Sequence, residues 1–393
     1  MESVESDRPI VMELVYGTVR RWRTLTWVLR KAVEGKAEKA AEPFLLIGIY
    51  QILFMSDMAE YAAVNETVEA SKKKLSKHGA GFVNAVLRRV LRGKQAILSE
   101  LKAESVAIRE SHPDVLVDKW RERLTPGKTV RLCKWNNSPA DVIICVNTTR
   151  LEIEKYQSML KERGIEATPH AFVPQRCLVL PRGIAVPDLP GYADGLFTVQ
   201  DPSMLTPVRF LALQRSDHVL DACAAPGGKA MLIAQKLGPE GELVAMDLHE
   251  DRLVQLRENF SRMKLTNVKT LAGDASDPVK VLGDMRFDRI LADVPCTNTG
   301  VLRRRPDARW RFTRERLKSM VSTQRAILDG LAPFLNSGGT LVYSTCSIEW
   351  EEGSELIAEW IKVHKEFRLD RELSLFPPET QTDGIYAARL VKR

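Results

Sequence analysis

From about Gly195 to the C-terminus, short apolar segments alternate with helical patterns, and nothing else in the chain constrains the fold as tightly. The apolar segments are HVLDAC (218–223), ELVAMDL (242–248), VKTLAGD (268–274), DRILADV (288–294) and TLVYSTC (340–346). Helical periodicity separates most of them, over Asp251–Met263, Arg314–Phe334 and Glu351–His364. Strands alternating with helices predict an α/β domain, a parallel sheet covered on both faces. In such a sheet ligands gather at the carboxyl ends of the strands. That rule turns the strand ends into a list of candidate site residues.

The first strand runs into Asp221-Ala222-Cys223-Ala224-Ala225-Pro226-Gly227-Gly228-Lys229. Two glycines let backbone approach a ligand closely, and the helix that follows offers unpaired N–H groups. The pattern matches neither the phosphate-binding G-x-x-x-x-G-K-[ST] loop nor the dinucleotide G-x-G-x-x-G turn. The second strand ends in Asp247, where an acid can accept from both hydroxyls of a ribose. The third ends in Gly273-Asp274, suited to an adenine amino group. Each acid alone could be a helix cap or a loop charge. Together, after a Gly-Gly turn, they predict a nucleoside site. The fourth strand ends in Asp293-Val294-Pro295-Cys296, the fifth in Tyr343-Ser344-Thr345-Cys346-Ser347. Cysteine is often a small core hydrophobe, the expectation for Cys133, Cys145 and Cys177. Thiols at the ends of two successive strands, one beside an Asp-x-Pro turn, point instead to catalysis.

The preceding half reads differently. From Pro9 to about Lys94 the periodicity is helical, with Val11, Leu14, Val15, Val19 and Trp22 predicted to form one face of a first helix. Further helices are expected over Phe44–Met55, Val64–Leu75 and Phe82–Arg92. After His112-Pro113 a helix over Val115–Leu124, a strand over Asp141–Asn147, a helix over Leu151–Arg163 and a Pro/Gly-rich stretch suggest a small mixed module. The expected domains are residues 1–110, 111–194 and 195–393.

Composition narrows the function classes. Hydrophobic residues make up 44% and charged residues 28%, which excludes a collagenous or disordered chain. Lys and Arg number 58 against 51 Asp and Glu, a net charge of +7 compatible with a polyanionic partner. The 6 cysteines form no C-x-x-C pair and have no histidine at zinc-finger spacing, so no metal site is expected. Free thiols suit a reducing cytosol. No signal peptide is expected from the acidic start, and no apolar run is long enough to span a bilayer.

DACAAPGGK, DVPCTNTGVLRRRPDARW and YSTCSIEWEEG resemble the three signature motifs of the RNA cytosine-5 methyltransferases, closest to the bacterial branch that acts on small-subunit ribosomal RNA. The resemblance runs through nearly the whole chain. ELVYGTVRRWRTL, LLIGIYQILFM, AAVNETVEASKK and GFVNAVLRRVLR resemble a NusB-like helical domain. NNSPADVIICVNTTR and GLFTVQDPSM resemble the connecting module of that branch, and DGIYAARL its C-terminal strand. The family's helical domain usually begins with additional helices, whereas here a short segment precedes ELVYG. The resemblance therefore implies an N-terminally truncated domain with apolar surface left for another element to cover.

The resemblance also assigns roles. It implies a Rossmann-like catalytic sheet, S-adenosylmethionine as methyl donor and S-adenosylhomocysteine as product. Cys223, Ala224, Ala225, Pro226, Gly227, Gly228, Lys229, Asp247, Asp274 and Asp293 would hold the donor or face the shared pocket. Cys346 would be the nucleophile, and Cys296 would assist product release. The chemistry of the residues agrees. A thiolate adding to C6 of cytosine makes C5 nucleophilic, and Asp293 is the candidate to stabilise charge at N3. Arg303, Arg304, Arg305, Arg309 and Arg311 follow closely, with Trp310 among them, and are expected to clamp RNA phosphates. The expected partner is RNA, with no membrane or metal, and the expected state is a monomer in the cytoplasm. Alternatives are the same chemistry on tRNA, an RNA-binding or antitermination-like protein with an inert catalytic half, and an enzyme using a nicotinamide dinucleotide.

Overall fold

A computed structural model describes residues 8–33, 35, 38–55 and 59–393. The chain divides into two compact units. One comprises the segment up to Ser138 together with Leu302–Arg311; the other comprises Pro139–Val301 and Phe312–Arg393.

The first unit is helical: α1 (Arg8–Ala32), α2 (Glu42–Phe54), α3 (Glu60–Lys72), α4 (Lys77–Arg92), α5 (Lys94–Ala103), the short α6 (Val106–Arg109), α7 (Asp114–Arg123) and α8 (Pro126–Asn137). Its core joins Leu25, Val28, Leu45, Ile49, Val83 and Leu87. In α4 the Ser76 hydroxyl accepts from Gly79 N at 3.1 Å, a helix start, and Arg89 and Arg92 lie in the last turn, where cations favour the dipole. The boundary expected at residue 110 falls inside this unit. Helix α8 carries the start signal Thr125-Pro126, the threonine capping Lys128 N at 3.3 Å, yet no helix was predicted there. The predicted apolar face of α1 is not a core face in its first turns. Val11, Val15 and Trp22 are exposed, as are Ile10, Met12 and Tyr16; of the predicted face Leu14 packs against the core half-buried, and the fully buried residues of α1 in that core begin at Leu25.

The second unit contains two sheets. A small antiparallel sheet, in the order β2 (Thr168–Pro169), β3 (Cys177–Val179), β1 (Ile143–Val146), β4 (Phe197–Val199), is backed by α9 (Ile153–Glu162). A seven-stranded sheet follows, in the order β10 (Phe367–Leu375), β11 (Ile385–Lys392), β9 (Leu335–Thr345), β8 (Phe287–Asp293), β5 (His218–Asp221), β6 (Glu242–Asp247), β7 (Val268–Ala272). Strands β5 to β9 pair in parallel, as predicted, whereas β11 runs antiparallel to both β9 and β10, a hairpin closing one edge. Apolar clusters cover both faces, one around Trp360 and Leu328 and the other around Leu232, Leu256 and Val342. The chain leaves β5 for β6, β7 and then β8 on the other side, so strand order reverses at β5. Helix α10 (Leu205–Phe210) precedes β5, α11 (Gly228–Ala234) and α12 (Glu250–Arg262) follow β5 and β6, and α13 (Val279–Leu282), α14 (Arg314–Leu331), α15 (Ser354–Val363) and α16 (Pro377–Thr380) complete the unit.

Candidate active site at the strand ends

The loop leaving β5 is tied down by its neighbour strand. Ala224 N donates to Met246 O at 2.8 Å and Ala225 N to the Asp247 carboxylate at 3.1 Å. Arg252 closes the arrangement, donating to Asp247 at 3.2 Å and to Ala225 O at 2.7 Å. The Ala225–Pro226 peptide is cis, and Gly227 follows at φ 109°. That backbone conformation calls for glycine, and a Cβ there would also push on Leu256 Cδ1, 2.4 Å away. Cys223, at the start of the loop, is packed against the core, and burial with Asp221 alongside pushes its thiol up. Asp221 is fully enclosed; burial, with Asp293 near it, pushes its carboxyl up to about 8.

Asp247 lies at the end of β6 and is only 3% exposed, with His249 N donating to it at 3.2 Å as well. Both its oxygens therefore already serve the loop. Asp274 is exposed just beyond β7 and accepts from Ser276 N and Oγ at 2.8 and 2.7 Å. Lys229 ends the loop. Its side chain turns into the neighbouring strand end, where the ammonium meets the Asp293 carboxylate at 2.6 Å and Met204 Sδ at 3.0 Å.

Strands β8 and β9 bring the remaining residues together. Asp293 pairs in register with Ser344, whose hydroxyl donates to it at 2.7 Å. Cys296 and Cys346 meet with their sulfurs 3.2 Å apart. Cys296 is buried, whereas Cys346 keeps partial exposure. The hydrogen bond with Cys296, then burial, holds the Cys346 thiol well above its ordinary value, and Lys229 is the cation opposing that rise. The remaining cysteines are free thiols. Cys133, Cys145 and Cys177 are buried in core positions, as expected.

Four residues that sequence reasoning passed over, Asn298, Glu352, Gln324 and Gly300, hold this geometry. Asn298, at φ 62°, accepts from Cys346 Sγ at 3.3 Å and donates to Cys296 O at 3.0 Å. Glu352 is fully buried and accepts from Thr297 N at 2.9 Å, from the Thr297 hydroxyl and from Gln324 at 3.0 Å. Gln324 also donates to Pro295 O at 2.9 Å, so the turn carrying Cys296 is laced from both sides. Gly300 N donates to Cys346 O at 2.9 Å, and a Cβ there would lie 2.5 Å from Gly384 O. Asn298 stands within the quoted TNTG run, and its signal was its tolerance of left-handed backbone. Glu352 lay in an acidic run that reads as surface.

Comparison with known proteins places this geometry in a family. Residues 208–391 match the model of the 16S rRNA methyltransferase RsmB/F, residues 2–92 the NusB family, and residues 112–187 the RsmF/B-like ferredoxin-like domain. A ribosomal RNA small subunit methyltransferase B from Serratia proteamaculans is 33% identical, covering 99% of this chain and 91% of that protein. The chain belongs to the ribosomal RNA small subunit methyltransferase B family. Its counterpart from Vibrio cholerae is 34% identical, covering 98% of this chain and 90% of the relative. The fold is also that of the crystal structure of PH0851, with a TM-score of 0.82, 23% identity, and coverage of 98% of this chain and 90% of the other.

The methyl donor of the methyltransferase B family is S-adenosylmethionine, and the residues present fit it. The Gly227 turn brings backbone, with no side chain, to the end of β5, and acids stand at the ends of β6 and β7. Among the described residues there is no cluster of three His, Cys, Asp or Glu that could hold a metal, and no helix is long and apolar enough to cross a membrane.

The arginine group divides. Arg309 is fully buried in the helical unit, donating to Arg20 O, Ser111 O and the Asn137 carboxamide from one nitrogen and to Asn136 O from the other, at 2.8–3.2 Å. It cannot also face a phosphate, and this corrects its assignment. Arg303 is 7% exposed with its guanidinium 4.2 Å from the Trp135 ring centre, so it too is spent inside the unit. Arg304 is half-buried. Arg305 and Arg311 are exposed, the latter paired with Asp307 at 2.5 Å.

Proposed function

We propose that this protein transfers the methyl group of S-adenosylmethionine to C5 of a cytosine in small-subunit ribosomal RNA, with Cys346 as the nucleophile. The observation that carries the reading is the meeting of two thiols 3.2 Å apart beside the Asp293–Lys229 ion pair. Relatives named as small-subunit ribosomal RNA methyltransferases support the substrate class.

Cytosine C5 is a poor nucleophile while the ring is aromatic. Addition of the Cys346 thiolate to C6 turns C5 into the nucleophilic end of an enamine, which divides one hard step into easier ones. Partial exposure favours Cys346 over the buried Cys296 for that attack. The raised thiol value means that a proton must leave Cys346 as the base arrives. Bound S-adenosylmethionine supplies an electrophilic methyl group. The loop Cys223–Lys229 would hold it by backbone, with Asp247 and Asp274 toward the ribose and adenine. Asp293, oriented by Lys229 and Ser344, would accept a hydrogen bond from the cytosine amino group and relay to N3 the proton that Cys346 gives up as its sulfur bonds to C6. Cys296 would assist loss of the C5 proton and departure of Cys346. A base within paired RNA must be flipped out to reach these groups.

The test is methyl transfer from labelled S-adenosylmethionine to small-subunit ribosomal RNA and, separately, to tRNA, with the modified nucleoside identified. Methylcytidine in ribosomal RNA, absent with Cys346→Ala, is expected. Label on another base, or undiminished activity of Cys346→Ala, would overturn the reading.

A further inference from the structure

The helical unit holds a cavity of about 390 Å³ that none of the catalytic residues enters. Trp22, Trp27, Arg23 and Arg30 of α1 line it, with Ile108 and with Trp310 from the Leu302–Arg311 segment. Its volume lies in the ~300–1,000 Å³ range of small-ligand sites. Two of the three indoles have their N–H groups engaged: Trp27 donates to Glu104 at 3.0 Å and Trp310 to Val19 O at 2.7 Å. Those bonds fix two of the rings, and the Lys31 ammonium lies over the Trp27 ring 4.7 Å from its centre, which leaves Trp22 and Trp310 as the pair available to a ligand. Trp22 meets Trp310 edge-on, ring centres 6.1 Å apart, yet stays 47% exposed, unusual for the largest apolar side chain. The charged groups lining the cavity are both cationic. Arg23 is anchored to Asp114 at 2.6 Å and to His112 O at 2.8 Å, and Arg30 is exposed.

Aromatic faces beside arginine are what an unpaired nucleotide recognises: the base stacks and the phosphate pairs. A purely apolar partner would have no use for the arginines, and a duplex cannot offer a base face. We propose that this cavity captures one unpaired nucleotide of the RNA substrate, its base against Trp22 and Trp310 and its phosphate toward Arg30. The proposal rests on the RNA-methyltransferase reading and adds a second point of RNA contact to it. The site is sequence-tolerant, because every base has a π face.

The test uses the full chain and a fluorescent single-stranded oligouridylate, read by anisotropy. Trp22→Leu is expected to weaken binding by about fivefold or more, and Trp22→Phe, which restores a ring, to recover most of the loss. Arg30→Ala should reduce the salt slope by roughly one. An unchanged urea-unfolding transition shows that each variant is folded. Equal affinities for the leucine and wild-type proteins, or competition by duplex RNA as effective as by single strands, would overturn the proposal. So would a wild-type dimer that Trp22→Leu converts to monomer, since a second copy would then fill the cavity. Wild-type protein that methylates ribosomal RNA while Trp22→Leu binds oligouridylate unimpaired sinks the cavity alone. Wild-type protein that methylates no RNA sinks the functional reading as well.

Discussion

Cys346 donates its thiol hydrogen to the Asn298 carboxamide at 3.3 Å, and the same carboxamide donates to Cys296 O at 3.0 Å. One side chain thus bridges the two strand ends that bring the thiols together. The bond favours the thiol over the thiolate, because a carboxamide oxygen can accept from S–H and has nothing to offer a sulfur anion.

Replacing Asn298 therefore tests how the proposed nucleophile is held. Asn298→Gly keeps the left-handed backbone and removes the carboxamide. It is expected to move the acidic limb of the pH–rate profile to lower pH, because the bond it removes favours the thiol over the thiolate. Asn298→Asp sets a carboxylate beside the thiol, so the acidic limb of the pH–rate profile should move to higher pH. Profiles unchanged in both variants would mean that the bond plays no part in the reaction.

The two cysteines should separate by their trapped products. Cys346→Ala should abolish both methylation and any covalent RNA adduct. Cys296→Ala should still attack but release poorly, leaving an enzyme–RNA adduct on denaturing gels that depends on S-adenosylmethionine and disappears in the double variant. Because Cys296 and burial hold Cys346 above the ordinary thiol range, wild-type adduct formation should rise with pH above neutrality, and the Cys296→Ala profile should shift toward lower pH. An adduct that accumulates in Cys346→Ala instead would exchange the two roles.

What the sequence disclosed follows the reach of local rules. Strand ends at Asp221, Asp247, Asp293 and Cys346 were legible because apolar runs punctuated by polar residues mark where a parallel strand stops. The β10–β11 edge was less so, since β10 is exposed along most of its length and carries no apolar run. The fate of the arginines was illegible for another reason. Nothing local distinguishes Arg309 from Arg311 two residues later; only the carbonyls of Arg20, Ser111 and Asn136, remote in sequence, decide that one is a buried clamp. The Lys229–Asp293 pair was illegible likewise, since only pairing across the sheet brings the two within reach.

That division gives opposite expectations for neighbouring residues. Arg309→Ala leaves several buried carbonyls without donors, and should cost on the order of 3 kcal/mol of stability in urea unfolding. Arg305→Ala, at an exposed position, should leave the unfolding midpoint unchanged and reduce the salt slope of RNA binding by roughly one if it meets a phosphate. A normal midpoint for Arg309→Ala would contradict the clamp.

His112 supplies a pH dependence whose sign is fixed by its surroundings. It is fully buried, with Nδ1 2.7 Å from Glu110 O and Nε2 3.3 Å from the Asn136 amide, which donates to it, so the ring is neutral with its hydrogen on Nδ1. Burial, with Arg309 and then Arg21 and Arg23 around it, pushes its pKa well below the ordinary 6.5. A group whose folded value is depressed binds its proton more readily when unfolded. The stability it contributes is present above pH 6.5 and is lost as pH falls below that value, at up to ~1.4 kcal/mol per pH unit. Urea unfolding between about pH 7.5 and pH 5 should show this loss. His112→Gln, which takes up no proton, should be less stable at neutral pH but flatter across the range. A variant curve as steep as the wild-type one would assign the acid sensitivity to other groups.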